Sequence, residues 1–275
     1  DASPSRDRRE RVAVQAVVQP LRVLSLGAGV QSSTVAMMMK HGEIEPAEFA
    51  VFADTGAEPV AVYHYLNWLE ANMGMPLVRT MQGEGLTRQI EDACAGKSRR
   101  ASQPPLFTEN GGKILRKCTQ DFKIAPIYRA IQARRNKRPV VQIFGISFDE
   151  MRRMRTPDRK YIAACEHPLV DKQMTRQDCM RWMVAHGYPI PPRSACVYCP
   201  FRCNVEWAKM RDLAPADFAE ACRMDALMRD GLPGLKERAY VHRQLVPLAE
   251  ADLRGDVERG QGLLGFGDCE GLCGV

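Results

Sequence analysis

The sequence predicts an α/β fold, a parallel sheet with helices on both faces, followed by a C-terminal cysteine-rich helical part. Two observations predict the sheet. Over residues 21–150 short apolar runs alternate with segments of helical spacing, and turn residues close several of the runs. A third observation sets the last part of the chain apart, because its cysteines crowd together in "CVYCPFRC" (196–203) and "CEGLCGV" (269–275). The 275 residues suffice for one large α/β domain or two modest ones. The expected organisation is a flexible basic arm over 1–20 and an α/β domain over 21–187. A cysteine-rich helical region ending in a mobile tail covers 188–275.

Taken in order, "LRVLSL" (21–26) reads as a buried strand, and "SSTVAMMMKHG" as a helix that stops at Gly42. "FAVFADTG" (49–56) is a second strand ending in a polar turn. "VAVYHYLNWLEANMG" is an amphipathic helix closed by Gly74, and "PLVRTM" a third strand. Residues 82–116, with scattered Gly and Pro, read as a long functional loop or lid. "DFKIAPIYRAIQARR" predicts a helix with a proline in its early part, and "PVVQIFGIS" (139–147) a buried strand. A mobile basic segment, a helix at "TRQDCMRWMVAHG", the proline- and cysteine-rich stretch 188–203 and a helix at "PADFAEACRMDALMRDG" complete the chain.

Hydrophobic residues make up 45% and charged residues 26%, which is ordinary for a soluble globular protein. No apolar stretch approaches the ~20 residues that span a bilayer, and no secretory leader is visible, so a cytoplasmic protein without a membrane partner is expected. The net charge of +6 is unevenly placed, in "RDRRER", "KSRR", "RRNKR" and "RRMRTPDRK". Such runs are either solvated faces or the docking surface of a polyanion.

The turn between the first strand and helix, "GAGVQSS", is either a plain strand-to-helix connection or a cradle for an anion. In a parallel sheet it opens into the ligand crevice, where the next helix presents unpaired amides and the positive end of its dipole. Gly27 and Gly29 permit close approach, and Ser32, Ser33 and Thr34 add hydroxyls. The turn lacks both the dinucleotide fingerprint and the lysine of a Walker loop. Lys123, Arg152, Arg153 and Arg155 follow strand ends, where they could neutralise phosphate or sulfate. In the cysteine cluster, Cys196, Cys199 and Cys203 have the tight spacing of thiolates that share one metal. Ten cysteines without a secretion signal argue against a disulfide framework.

These stretches together resemble the PP-loop (adenine nucleotide alpha hydrolase-like) superfamily, in its branch of phosphoadenosine phosphosulfate (PAPS) reductases and DNA-phosphorothioation sulfurtransferases. The family's loop is Ser-Gly-Gly-x-Asp-Ser. Here Gly27 takes the first Ser, Ala28 and Gly29 the two glycines, Gln31 the Asp and Ser32 the last Ser. "FADTGAE" resembles the branch's Asp-Thr-Gly turn, "KCTQDFKIAPI" its Cys…Lys-x-x-Pro segment and "GISFDEMRRMR" its Gly-x-Arg turn. "HPLVDKQMTRQDCMRWMVAHGYPIPP" is similar to the stretch that follows, and the sulfurtransferases also carry a late Cys-x-x-Cys-Pro.

The resemblance implies an adenine-nucleotide-binding enzyme of sulfur metabolism. In one form ATP, with Mg2+, activates a nucleic acid (tRNA or DNA), and sulfur from a donor such as a cysteine desulfurase is transferred to it. In the other, PAPS is the substrate and a tail thiolate, Cys273 or Cys269, attacks it. A non-catalytic, metal-stapled nucleic-acid-binding protein is a third reading. The implied binding residues are Gly27, Gly29, Gln31, Ser32, Ser33, Asp54, Lys123 and Arg152, with Asp54 either a magnesium-side carboxylate or an Asx-turn residue. A [4Fe–4S] cluster, or alternatively Zn2+, would be held by Cys196, Cys199 and Cys203 with Cys118 as the outside ligand. Gln31 in place of the family's Asp removes a carboxylate from the loop.

Overall fold

The computed structural model describes residues 18–255. In chain order its strands are β1 (Leu21–Leu26), β2 (Phe49–Asp54), β3 (Leu77–Met81), β4 (Phe107–Thr108), β5 (Val140–Phe144), β6 (Ile162–Glu166) and β7 (Ala239–Tyr240). The helices are α1 (Val30–Lys40), α2 (Val60–Asn72), α3 (Leu86–Cys94), α4 (Lys117–Thr119), α5 (Ala125–Arg134), α6 (Pro168–Asp171), α7 (Arg176–Ala185), α8 (Asn204–Leu213) and α9 (Pro215–Gly231). A π-helical turn, Gln120–Ile124, joins α4 to α5, and a 3₁₀ turn, Phe148–Arg153, follows β5.

Five strands form one parallel sheet in the order β3-β2-β1-β5-β6, while β4 and β7 pair as a small antiparallel ribbon. Leu24 is in register with Ala50 on one side and Ile143 on the other. The apolar strands serve both faces. Leu24, Leu26, Ala50, Phe52, Val141 and Ile143 pack with α1, α2 and α7, whereas Val23, Val51, Ala53 and Val140 pack with α5. The alternation follows from the period of two along a strand. Helix α1 is buried on every side from Val30 to Met39, which explains its run of three methionines. A third core holds α3, α8 and α9 together with Phe122, Tyr198 and Trp207.

Three elements depart from the sequence expectation. Residues 82–116 are not one long loop, because Leu86, Ile90 and Ala93 recur at helical spacing and bury α3 against α9. The basic segment after β5 contains an edge strand, β6, which pairs parallel with β5. Helix α8 begins at Cys203, whose side chain and Glu206 form a reciprocal cap. That cap lacks the usual Ser or Thr, and so carried little signal.

The chain runs from β1 outward through β2 to β3, then crosses to β5 and β6 on the other side. The connections therefore diverge between β1 and β5. Open α/β sheets bind their ligands in the crevice at such a point, outside the strands' carboxyl ends.

Candidate active site at the carboxyl edge of the sheet

The crevice is built first from the turn after β1. Gly29 is extended (φ −94°, ψ 179°) at the N-cap of α1, and no side chain caps that helix. Its first-turn amides and dipole are thus presented to the crevice. Ser32 Oγ accepts from the Gly27 amide at 3.1 Å and lies 3.4 Å from the Gly29 carbonyl, stapling the turn. Ser33 is fully buried, with its hydroxyl in the core beside Tyr65. Burial pushes the Tyr65 hydroxyl up to about 12. The left-handed residue of the turn is Ala28 (φ 56°), not a glycine. A Cβ on Gly27 or Gly29 would make only ordinary contacts at 3.7 Å. The tight approach is at Gly145, just past β5, where a Cβ would stand 2.5 Å from both Ser32 N and Ser32 Cα.

A polar network closes the far wall. Gln31 Nε2 donates to Ser147 Oγ (3.5 Å) and Glu150 Oε2 (3.3 Å), and Gln31 Oε1 accepts from Arg176 at 3.0 Å. Arg153 pairs with Glu150 at 2.7 Å. Burial raises the Glu150 carboxyl above its ordinary range, against the pull of Arg153. Asp149 accepts from the Arg176 amide at the start of α7. Arg152 stands exposed on the 3₁₀ turn beside this wall.

At the end of β2, Asp54 Oδ1 accepts from the Gly56 amide and the Tyr63 hydroxyl, each at 2.8 Å, which is the Asx-turn arrangement. Thr55 donates to Glu58 at 3.2 Å and lies 3.5 Å from Cys196 Sγ. The Glu58 side chain is wholly buried, 3.6 Å from Lys123 Nζ.

The cysteine segment returns over this edge. Ser194 Oγ donates to the Gly27 carbonyl, and the Val197 amide donates to the Ala57 carbonyl at 2.8 Å. Arg202, almost fully buried, donates to the carbonyls of Ala195 (2.8 Å) and Cys196 (3.2 Å) and so fixes the segment. Cys118, Cys196 and Cys199 then line one cleft with Arg116, Lys123 and Tyr198. Burial is the main cause raising the Cys118 and Cys196 thiols above their ordinary value, with neighbouring thiol charge adding to it at Cys118 and the Glu58 carboxylate at Cys196.

Cys203 does not line the cleft, being engaged as the cap of α8. Among the described residues no three His, Cys, Asp or Glu side chains converge to hold a metal ion. As placed, the donors Cys118, Cys196, Cys199 and Cys203 do not compose a zinc or [4Fe–4S] site. Cys269 and Cys273 lie outside the described residues.

Residue patterns alone did not single out several participants, among them Gly145, Arg176, Ser194, Glu58 and Arg202. Gly145 and Arg176 had local signals, a glycine after a strand and an arginine at a helix start, that many chains share. Glu58 and Arg202 matter through burial, which sequence spacing does not reveal.

Fold and site together define an open parallel α/β protein with a crevice at its switch point and a thiol-lined cleft against it. No family model and no curated protein matches the chain. Among solved structures it is similar to the crystal structure of phosphoadenylyl-sulfate (PAPS) reductase from Candida auris in a phosphate complex. The identity is 13%, with 64% of this chain and 77% of that chain covered, and the TM-score is 0.44.

Proposed function

We propose that this chain is an enzyme of sulfur metabolism that binds an adenine nucleotide in the crevice and brings its reacting group against the thiols of the neighbouring cleft. The observation that carries the reading is a pair of contacts, Ser194 to Gly27, which ties the thiol segment to the anion-binding turn, and Thr55 to Cys196, which ties it to the adjacent turn after β2. The nucleotide's adenine follows from the sequence resemblance. Its phosphates follow from the uncapped start of α1, with Ser32 shaping the turn.

Two reactions suit such a site. In the first, ATP adenylates a nucleic-acid acceptor with release of pyrophosphate, the terminal sulfur of a cysteine persulfide displaces AMP, and a second thiolate attacks the cysteine sulfur of the adduct, freeing the thiolated acceptor and leaving a Cys–Cys disulfide. The basic runs support that acceptor. A cluster on Cys118, Cys196 and Cys199 would require a further ligand brought to the cleft, which iron and sulfide analysis of anaerobically purified protein tests. In the second, a thiolate attacks the sulfur of a sulfonucleotide, displacing the nucleotide phosphate and forming Cys–S–SO3−. A second thiolate then attacks the cysteine sulfur, releasing sulfite and leaving a disulfide. Three thiols near one anion crevice, and a glutamine in place of the loop carboxylate, favour this second course.

The test is a paired assay. Wild-type protein is given ATP, Mg2+, tRNA or DNA, and a cysteine desulfurase with cysteine as sulfur donor, with release of AMP and incorporation of sulfur followed. Separately it is given PAPS and a dithiol, with sulfite followed. Activity in either that disappears in Cys196→Ser and in Cys118→Ser supports the proposal. Full activity in both variants refutes the role given to the cleft.

A further inference from the structure

The carboxylates around the crevice are already committed to protein donors. Asp54 is held by Gly56 and Tyr63, Asp149 by the Arg176 amide, Glu150 by Gln31 and Arg153, and Glu58 by Thr55 and Lys123. Octahedral Mg2+ asks for one or two carboxylates beside the ligand's own phosphates. Here the residue at the loop's acidic position is the neutral Gln31.

Arg176 presents the opposite situation. Its guanidinium donates to the neutral Gln31 amide oxygen at 3.0 Å, and among the described residues no carboxylate lies within ion-pair distance of it. It stands half-buried at the first turn of α7, against Gln31 in the first turn of α1. A carboxylate in place of Gln31 would neutralise it. Glutamine instead orients it and leaves it outside a direct ion pair, with the Glu150 carboxylate feeling its charge from a distance. The same amide fixes the far wall, because with Oε1 on Arg176 its Nε2 must face Ser147 and Glu150.

We infer that the crevice neutralises its ligand with Arg176 and the start of α1 rather than with a divalent cation. Its substrate class is therefore a phosphate or sulfate ester of a nucleotide, bound free of metal. Arg176 is the residue that contacts the anion, and Gln31 positions it. This inference rests on the crevice being the nucleotide site, as proposed above.

Calorimetric titration of the full chain with ATP and with adenosine 3′,5′-bisphosphate, each in EDTA and in excess Mg2+, tests it. Wild-type affinity for the bisphosphate is expected to be the same within about twofold in the two conditions. Arg176→Gln should lose roughly 10- to 100-fold in both, as expected for removal of a charge-assisted hydrogen bond. Gln31→Asp should lose affinity in EDTA, since its carboxylate pairs with Arg176, and recover part of it in Mg2+. That recovery is a response that mere loss of structure does not give, and thermal melts of each variant check folding. Wild-type binding that requires magnesium, or that survives Arg176→Gln undiminished, overturns this inference while leaving the nucleotide crevice standing. Failure of the wild type to bind either nucleotide in either condition overturns both.

Discussion

Gly145→Ala is the most demanding test of the crevice geometry, because the added methyl meets backbone and not a movable side chain. Its Cβ would lie 2.5 Å from Ser32 N and Cα and 2.9 Å from the Gln31 carbonyl carbon. Reaching an ordinary 3.4 Å contact requires the first turn of α1 to retreat by about 0.9 Å. Helix α1 is buried on all sides, so the retreat compresses the core behind it. Overpacking of this kind costs about 1–3 kcal/mol, and the absence of a rotatable neighbour places this case near 3. For a domain of this size that lowers Tm by about 6–12 °C. The retreat also stretches Gln31 from Ser147 and Glu150, so nucleotide affinity should fall at least tenfold. Differential scanning calorimetry and nucleotide titration read the two effects. The control is Gly29→Ala, whose Cβ meets Ser194 Cβ at an ordinary 3.7 Å at a permissive φ of −94°, and which should melt like wild type. If Gly145→Ala melts within 1 °C of wild type and binds as well, the packing of the turn on β5 is wrong.

Other consequences are more local. Arg202→Ala removes the buried donor from the Ala195 and Cys196 carbonyls, at about 1–3 kcal/mol for each group left unsatisfied. Urea unfolding should show the loss, and iodoacetamide should label Cys196 and Cys199 faster; unchanged labelling would deny Arg202 its positioning role. Asp225, 1% exposed, accepts from the amides of Val241 (2.8 Å) and Leu248 (3.0 Å) and from Arg229 (2.6 Å). Asp225→Ala strands all three and should cost about 3–5 kcal/mol in guanidinium unfolding, against under 1 kcal/mol if the network is incidental. His167 takes the Arg155 amide on Nε2 at 3.0 Å, and burial lowers its proton affinity below the usual 6.5. As pH falls below 6.5 the unfolded chain takes up a proton that the folded one refuses, so stability declines toward the depressed folded value. His167→Gln should flatten that part of the stability–pH curve, and an unaltered slope would assign it to other groups.

The alternation of strand and helix up to β5 was legible because buried strands and a buried helix leave dense apolar runs. Helix α3 was masked by the Gly and Pro around it, although Leu86, Ile90 and Ala93 carry the helical spacing. Strand β6 was masked by the charged run before it, since an edge strand needs less apolar cover. At the site, the position of Gly27 to Ser32 could be read from the strand-to-helix transition. The partners of that turn could not. Gly145, Arg176 and Ser194 are 113 or more residues away from Ser32, and only tertiary packing brings them together. Cys203 shows the opposite failure, since its spacing suited a metal ligand while its surroundings make it a helix cap.

The Ser194–Gly27 bond spans 167 residues of chain, and it bears on the order in which the protein is made. Contacts of such separation carry a large loop-closure entropy and form late in folding. As the chain leaves the ribosome, β1 to β6 can assemble before residue 194 has been synthesised, so the sheet and the turn after β1 precede Cys196 and Cys199. A nascent or truncated chain ending near residue 187 would hold the turn without the cleft. The cleft is thus completed after the turn, and a ligand that grips the early turn would act as a template on which the segment bearing Cys196 and Cys199 closes.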